Sequence, residues 1–307
     1  MKSITLTKND AGQRLDKFLQ KSYKMPVSLM YKYIRKKRIR INGKHPKENV
    51  ILNEGDVLEL YINDELLTEK PLNIGRTGRL DIVYEDENII IMDKPKGLLC
   101  HGEGDTLLDR MTSYLVRKGE YKPKEQLSFA PALCNRLDRN TAGLLIGAKN
   151  AQALRAVNEK IKSREIKKYY LCLCYGAPKD KQGILESYLE KDESINKVTI
   201  LDTPTSDSKV IRTGYKVLKE KDGFSLMEIE LFTGRSHQIR AQLQKIGCPI
   251  VGDKKYALSK NNKKAPFEGQ ALYSYKLTFD MTQVPEILAD LQHKTFKAPR
   301  VYFKDFI

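Results

Sequence analysis

Asn135-Arg136-Leu137-Asp138-Arg139-Asn140-Thr141-Ala142-Gly143-Leu144-Leu145-Ile146 sets a carboxylate between two arginines, follows it with a Thr-Ala-Gly turn and ends in an apolar segment. If this loop faces a cleft, a neighbouring arginine would favour the charged form of Asp138 despite burial, and such an anion can act as nucleophile or base. Taken alone, an aspartate in a polar loop more often caps a turn through the local backbone. The weight of the reading therefore falls on what surrounds the loop.

The chain of 307 residues carries a formal net charge of +16, which favours a polyanionic partner such as nucleic acid or an anionic membrane. Much of that charge is local: residues 14 to 47 hold twelve Lys/Arg and a single acid, Asp16. Five cysteines, an odd number without paired CxxC spacing, speak against a disulfide framework or a zinc site and for a reducing cytosol. The N-terminal MKSITLTKND lacks an apolar run of signal-peptide length, and no stretch approaches the length that spans a bilayer. We expect a soluble, cytoplasmic protein without a membrane partner.

Before the quoted loop, Leu15, Phe18 and Leu19 fall on one helix face, and Pro26 suits the first turn of a second helix ending in Arg35-Lys36-Lys37-Arg38. Arg38 to Ile41 alternates strictly, Asn42-Gly43 signals a tight turn, and Val57 to Tyr61 alternates again. This order, with RLDKFL, INGK and EGDVLEL, resembles a small RNA-binding module found in a small-subunit ribosomal protein and in bacterial tyrosyl-tRNA synthetases. The resemblance implies that Lys32, Arg35, Lys36, Arg38 and Arg40 meet RNA phosphates, adding affinity with little sequence choice. Residues 63–78 read as a linker, giving three segments: a basic RNA-binding domain over 1–62, the linker, and a catalytic domain over 79–307.

In the large domain, strand-like runs fall at Leu80 to Tyr84, Ile89 to Met92, Tyr169 to Cys174, Phe224 to Leu231 and Leu272 to Thr278, and helical patterns at 106–117, 150–164 and 236–246, the second capped by Asn150. No βαβ alternation is visible. The fold class is α+β, with a small αβ module followed by a mainly antiparallel mixed sheet, an assignment that draws in part on a second resemblance.

NRLDRNTAGLLIGAK is similar to the catalytic motif of the RluA/RluD class of RNA pseudouridine synthases, and Asp138 falls on that class's essential aspartate. IVYEDENIIIMDKPKGLLCHG upstream, and REIKKYYLCLCYG and LFTGRSHQIRAQLQKIGCPIVGDKKY downstream, resemble its other motifs in the same order. Asn135 and Ala142 depart from the pattern, which has His and Ser there, and we expect them to alter the support of Asp138 rather than the chemistry. The resemblance implies Tyr170 as the active-site tyrosine, Arg235 as the arginine that pairs with Asp138, Ile239 as an apolar wall against the base, Arg136 as a contact to RNA around a flipped nucleotide, and His101 as a residue bordering the site. Tyr169 should face the opposite side of its strand.

Ser236 and His237 are adjacent and so do not read as part of a catalytic triad; four scattered histidines give no metal-ligand spacing; and GRTG and GEG lack the framework of a nucleotide-binding loop. The expected activity is isomerisation of uridine in a structured RNA, large-subunit ribosomal RNA by family analogy, by a monomer that uses no metal, cofactor or nucleotide. A non-catalytic RNA-binding or ribosome-assembly protein is the alternative from another class. An RNA hydrolase would want a metal cluster or a paired acid and base.

Overall fold

A computed structural model describes every residue except 24, 68–77, 124 and 258–266. Its first unit comprises β1 (Lys2–Thr5), α1 (Leu15–Ser22), α2 (Val27–Arg35), β2 (Ile39–Ile41) and β3 (Val57–Leu60). The strands form an antiparallel sheet in the order β1-β3-β2. Leu15, Phe18 and Leu19 of α1 pack with Met30, Ile34, Ile39, Leu58 and Leu60 in a core of their own, so the i, i+3, i+4 spacing translates directly into burial. Pro26 stands at the N-cap of α2, one residue before the helix begins. Most of the expected linker, 68–77, lies outside the described residues; ahead of it a short 3₁₀ turn over Asp64–Leu67 returns Leu67 to the first core.

The remainder is built on β4 (Ile82–Glu85), β5 (Ile89–Lys94), α3 (Leu107–Arg117), β6 (Ala132–Leu133), β7 (Ala142–Ala148), α4 (Ala151–Lys162), β8 (Ile166–Tyr175), β9 (Gln182–Asp192), β10 (Lys197–Leu201), β11 (Lys209–Lys221), β12 (Phe224–Leu231), α5 (Gln238–Lys245), β13 (Leu272–Phe279) and β14 (Thr295–Lys297). They make an eleven-stranded sheet of order β10-β9-β11-β12-β8-β13-β7-β5-β4, with β14 on β13 and β6 on β7. Only the β13–β7 pairing is parallel, so the architecture is α+β with a mainly antiparallel sheet.

The centre of this sheet is covered on both faces. Ile90 and Met92 of β5 join one core with α3 and α5, while the alternate Ile89 and Ile91 join another with α4. A strand buried on both sides reads as a continuous apolar run, as IIIM and GLLIGA do. Asn150 caps α4 by accepting from the Ala153 amide at 2.8 Å, and Thr106 and Asp109 form a reciprocal capping box on α3. The two units touch: Leu127 packs on the first core, Gln13 donates to Ser128 at 2.9 Å, and Asn9 accepts from the Ala151 amide at 3.1 Å.

Gly143 is where β7 meets β13, directly after the Asp138 loop. Its φ of +117° is a glycine conformation, and a Cβ there would collide with the Ser274 backbone. Gly143→Ala is expected to cost at least about 3 kcal/mol, because backbone rather than a flexible side chain would have to move. Urea unfolding of the variant and wild type measures it.

Candidate active site

The Asp138 loop runs from β6 to β7 and is fastened on several sides. Asn135 Oδ1 accepts from the Ile146 amide at 2.9 Å, the Thr141 amide donates to the Asp138 carbonyl at 3.1 Å, and Gln270 donates to Thr141 Oγ1 at 2.6 Å. Thus Asn135, one departure from the motif, ties the loop to β7 rather than touching the carboxylate, and Ala142, the other, is buried opposite Tyr273. Beneath the loop lies Lys94, fully buried, whose ammonium donates to the carbonyls of Pro95 (3.0 Å), Leu98 (2.8 Å) and Arg139 (3.1 Å). Burial pulls its pKa down to about 8, against the opposing pull of Cys100, Asp138 and Asp93. Three carbonyls match the three donors of an ammonium, so the charged form is the one this nest accommodates.

Asp138 opens onto a cavity of about 590 Å³. Its carboxylate is met by Arg240 of α5, Nη1 to Oδ2 2.9 Å. Arg240 is held in turn by Asp253, which accepts from Nε at 2.7 Å and Nη2 at 2.9 Å, a bidentate pair whose carboxylate also takes the Lys255 and Tyr256 amides. Burial would disfavour the charge on Arg240, but Asp253 and Asp138 outweigh it and raise its pKa further. The Tyr256 ring lies 5.0 Å from the guanidinium, and its hydroxyl bonds His237 Nδ1 at 3.0 Å. His237 Nε2 stands 3.8 Å from Asp138 Oδ2; burial lowers the imidazole pKa although Asp138 pulls it the other way.

Tyr170 of β8 is buried against the same cavity, and burial pushes its hydroxyl pKa well up. It shares a hydrogen bond with Ser274 on β13, whose Oγ donates to the Leu144 carbonyl. Leu137, Ile239 and Leu272 supply apolar wall. The neighbouring Tyr169 stands under the Lys276 ammonium, 3.9 Å from its ring centroid.

The structure thus brings Asp138, Tyr170, Ile239 and Arg136 to one cavity, and His101 to an adjoining one that also reaches Asp138. The expected pairing of Arg235 with Asp138 is corrected: Arg235 is exposed on the cavity rim, and Arg240 makes the ion pair. The reason is the start of α5. Arg235 precedes the helix, tied down by its amide to Gln238 Oε1 at 3.1 Å, whereas Arg240 lies on the inward face of the first helical turns. Asp253, Tyr256 and Lys94 were missed because nothing in their spacing marks them. The adjacent segments HQIR and VGD held the available signal, an arginine on a helix face otherwise buried and an aspartate in a glycine turn.

In the first unit Lys32, Arg35, Lys36 and Arg38 are exposed, and none makes an ion pair among the described residues. Arg40 is half-buried, its guanidinium 5.1 Å from the Tyr61 ring centroid. No cluster of three His, Cys, Asp or Glu able to hold a metal occurs among the described residues, nor a helix long and apolar enough to cross a membrane.

Comparison with known proteins now bears on this geometry. The RNA pseudouridylate synthase family profile matches residues 88–245. An uncharacterised RNA pseudouridine synthase of Mycoplasma genitalium is 32% identical over 98% of this chain and 96% of its own. A ribosomal large subunit pseudouridine synthase C of Rickettsia bellii is 32% identical over 86% of this chain and 88% of its own. Among solved structures, human RNA pseudouridylate synthase domain containing 1 aligns with a TM-score of 0.55 at 21% identity, covering 69% of this chain and 82% of that one, a likeness of fold. With a family profile across half of its length and relatives across nearly all of it, the chain belongs to the RNA pseudouridylate synthases, enzymes that convert uridine in RNA to pseudouridine.

Proposed function

We propose that the chain isomerises specific uridines of large-subunit ribosomal RNA in the cytoplasm, as a monomer, with Asp138 as the catalytic carboxylate. The observation that carries this reading is the cavity itself: one carboxylate, Asp138, faces an aromatic ring and an apolar wall, while every other charged group lining the space is a cation. That combination suits a neutral base entering with its polyanionic backbone. Isomerisation breaks the bond from ribose C1′ to uracil N1, turns the base and rejoins C1′ through C5, releasing the C5 proton. Asp138 starts cleavage, by attack on carbon or by removing a ribose proton; either route uses the carboxylate that Arg240 orients. Tyr170 and Ile239 sandwich the extruded base. Arg136 and His101 border the strand on either side.

Residues 1–62 act as a separate RNA-binding domain of the ribosomal-protein type, in which Lys32, Arg35, Lys36, Arg38 and Arg40 grip the phosphates, joined through 63–78 to the catalytic domain of 79–307. Within the family we place the chain with the large-subunit ribosomal enzymes of the RluA/RluD and C types, in line with the printed names of relatives such as that of Rickettsia bellii. Mapping pseudouridine in ribosomal RNA from cells with and without the gene tests this. One or a few large-subunit positions are expected to revert to uridine and to be restored by wild-type protein but not by Asp138→Asn. Changes confined to transfer RNA would redirect the substrate.

A further inference from the structure

Six cations line the cavity around Asp138 and that carboxylate is the one acid among its lining residues. Arg240 is committed to Asp138 and Asp253. The other five, Arg136, Lys162, Arg164, Lys168 and Arg235, make no ion pair among the described residues. Lys168 is the unusual member. Lysines at a surface need no partner, but Lys168 is withdrawn from water on β8, and its ammonium has no hydrogen-bond acceptor among the described residues. Burial alone lowers its pKa, with no carboxylate close enough to offset the loss of solvent. Tyr170 and Lys94, in contrast, both register the charge of Asp138, so Lys168 belongs to the end of the cavity away from the reacting carboxylate.

Strand geometry fixes where that end points. Lys168 and Tyr170 are two residues apart and so project from the same face of β8, about 6.5 Å along the strand. Across from Lys168 the loop between β12 and α5 passes at Gly234, where a Cβ would come to 3.8 Å from the ammonium nitrogen. The same loop supplies Arg235, and the end of α4 with the turn after it supplies Lys162 and Arg164. A half-buried ammonium without a counter-charge is an expense to the fold. The missing anion must come with a ligand, and of the groups in an RNA strand only the phosphodiester is one.

Resting on the reading of the cavity as the uridine site, we propose that Lys168, flanked by Lys162, Arg164 and Arg235, forms a phosphate subsite that grips an RNA phosphodiester next to the nucleotide held between Asp138 and Tyr170. The subsite anchors the strand at a fixed distance from the base, and this sets which side of the flipped nucleotide the enzyme holds. A phosphate there restores the electrostatic environment that burial removes, so the contact contributes more than a rim lysine would.

The test is the salt dependence of RNA binding by full-length Lys168→Gln, Lys168→Arg and wild type, measured by filter retention on ribosomal RNA lacking pseudouridine, from about 50 to 300 mM salt. Lys168→Gln is expected to bind roughly three- to tenfold more weakly at the low end, with a log–log slope shallower by about one counterion, and Lys168→Arg to restore the slope. A partly unfolded preparation lowers the binding amplitude and leaves the slope in place, so loss of fold does not imitate the result. An unchanged slope in Lys168→Gln would overturn the proposal, as would weaker binding with the wild-type slope, which would put Lys168 on a base carbonyl instead. Turnover does not enter this measurement. Failure of the isomerisation reading would appear as absent uridine conversion with RNA binding intact, and the slope comparison would still decide the subsite.

Discussion

Asp138→Asn is expected to lose turnover by on the order of 10⁴-fold or more while RNA affinity stays within about threefold of wild type. The amide keeps the volume of the side chain and can still accept a hydrogen bond from Arg240 Nη1, which reaches Oδ2 at 2.9 Å in the wild type. The surrounding loop is fastened by Asn135, Thr141 and Lys94 through contacts that do not involve the carboxylate. Fold and binding surface therefore persist, and what disappears is the negative charge that either route of bond cleavage requires. Single-turnover conversion of uridine alongside equilibrium RNA binding separates the two effects. A large loss of affinity would mean that Asp138 holds the strand rather than acts on it.

Arg240→Met carries the second large effect, and it has two parts. Both Arg240 and Asp253 are buried, so removing the guanidinium leaves Asp253 as an uncompensated carboxylate and costs about 3–5 kcal/mol of stability. It also releases Asp138, and a displaced reacting group loses roughly 10²-fold or more in rate. The double variant Arg240→Met/Asp253→Leu tells the parts apart, because replacing a whole buried pair with apolar side chains is often close to neutral. Denaturant unfolding should show most of the stability regained in the double variant, while uridine conversion stays low. Recovery of both together would make the ion pair a structural strut with no part in placing Asp138.

Much of the fold was legible because its signals are local. The first unit's helices follow from apolar spacing, its turn from Asn42-Gly43, and α4 from a stripe beginning at an Asn cap. The strand from Phe224 to Leu231 coincides with its alternating run. The arm of β9, β10 and β11 went unread: its residues are charged and half-exposed, and only the face bearing Leu189, Val198 and Ile211 packs against α5. β7 is hidden for the opposite reason, being buried at every position, so it lacks any period. At the site, Asp138 and Tyr170 stand out through motif spacing, but the partner of Asp138 does not. Arg235 and Arg240 lie five residues apart in one segment, and only the point at which the chain enters α5 decides which of them turns inward. Asp253 comes from a separate turn beyond the helix. Its role arises from tertiary packing, which no spacing within a segment encodes.

The most direct measurement is tritium release from RNA labelled at uridine C5, prepared from cells lacking the gene and incubated with wild-type protein or Asp138→Asn. Label leaves only when C5 is rejoined to ribose. Release by the wild type and none by Asp138→Asn is the predicted result. Equal release by the two proteins, or no release by the wild type from an RNA it binds, would contradict the assignment of Asp138 as the catalytic carboxylate of a uridine isomerase.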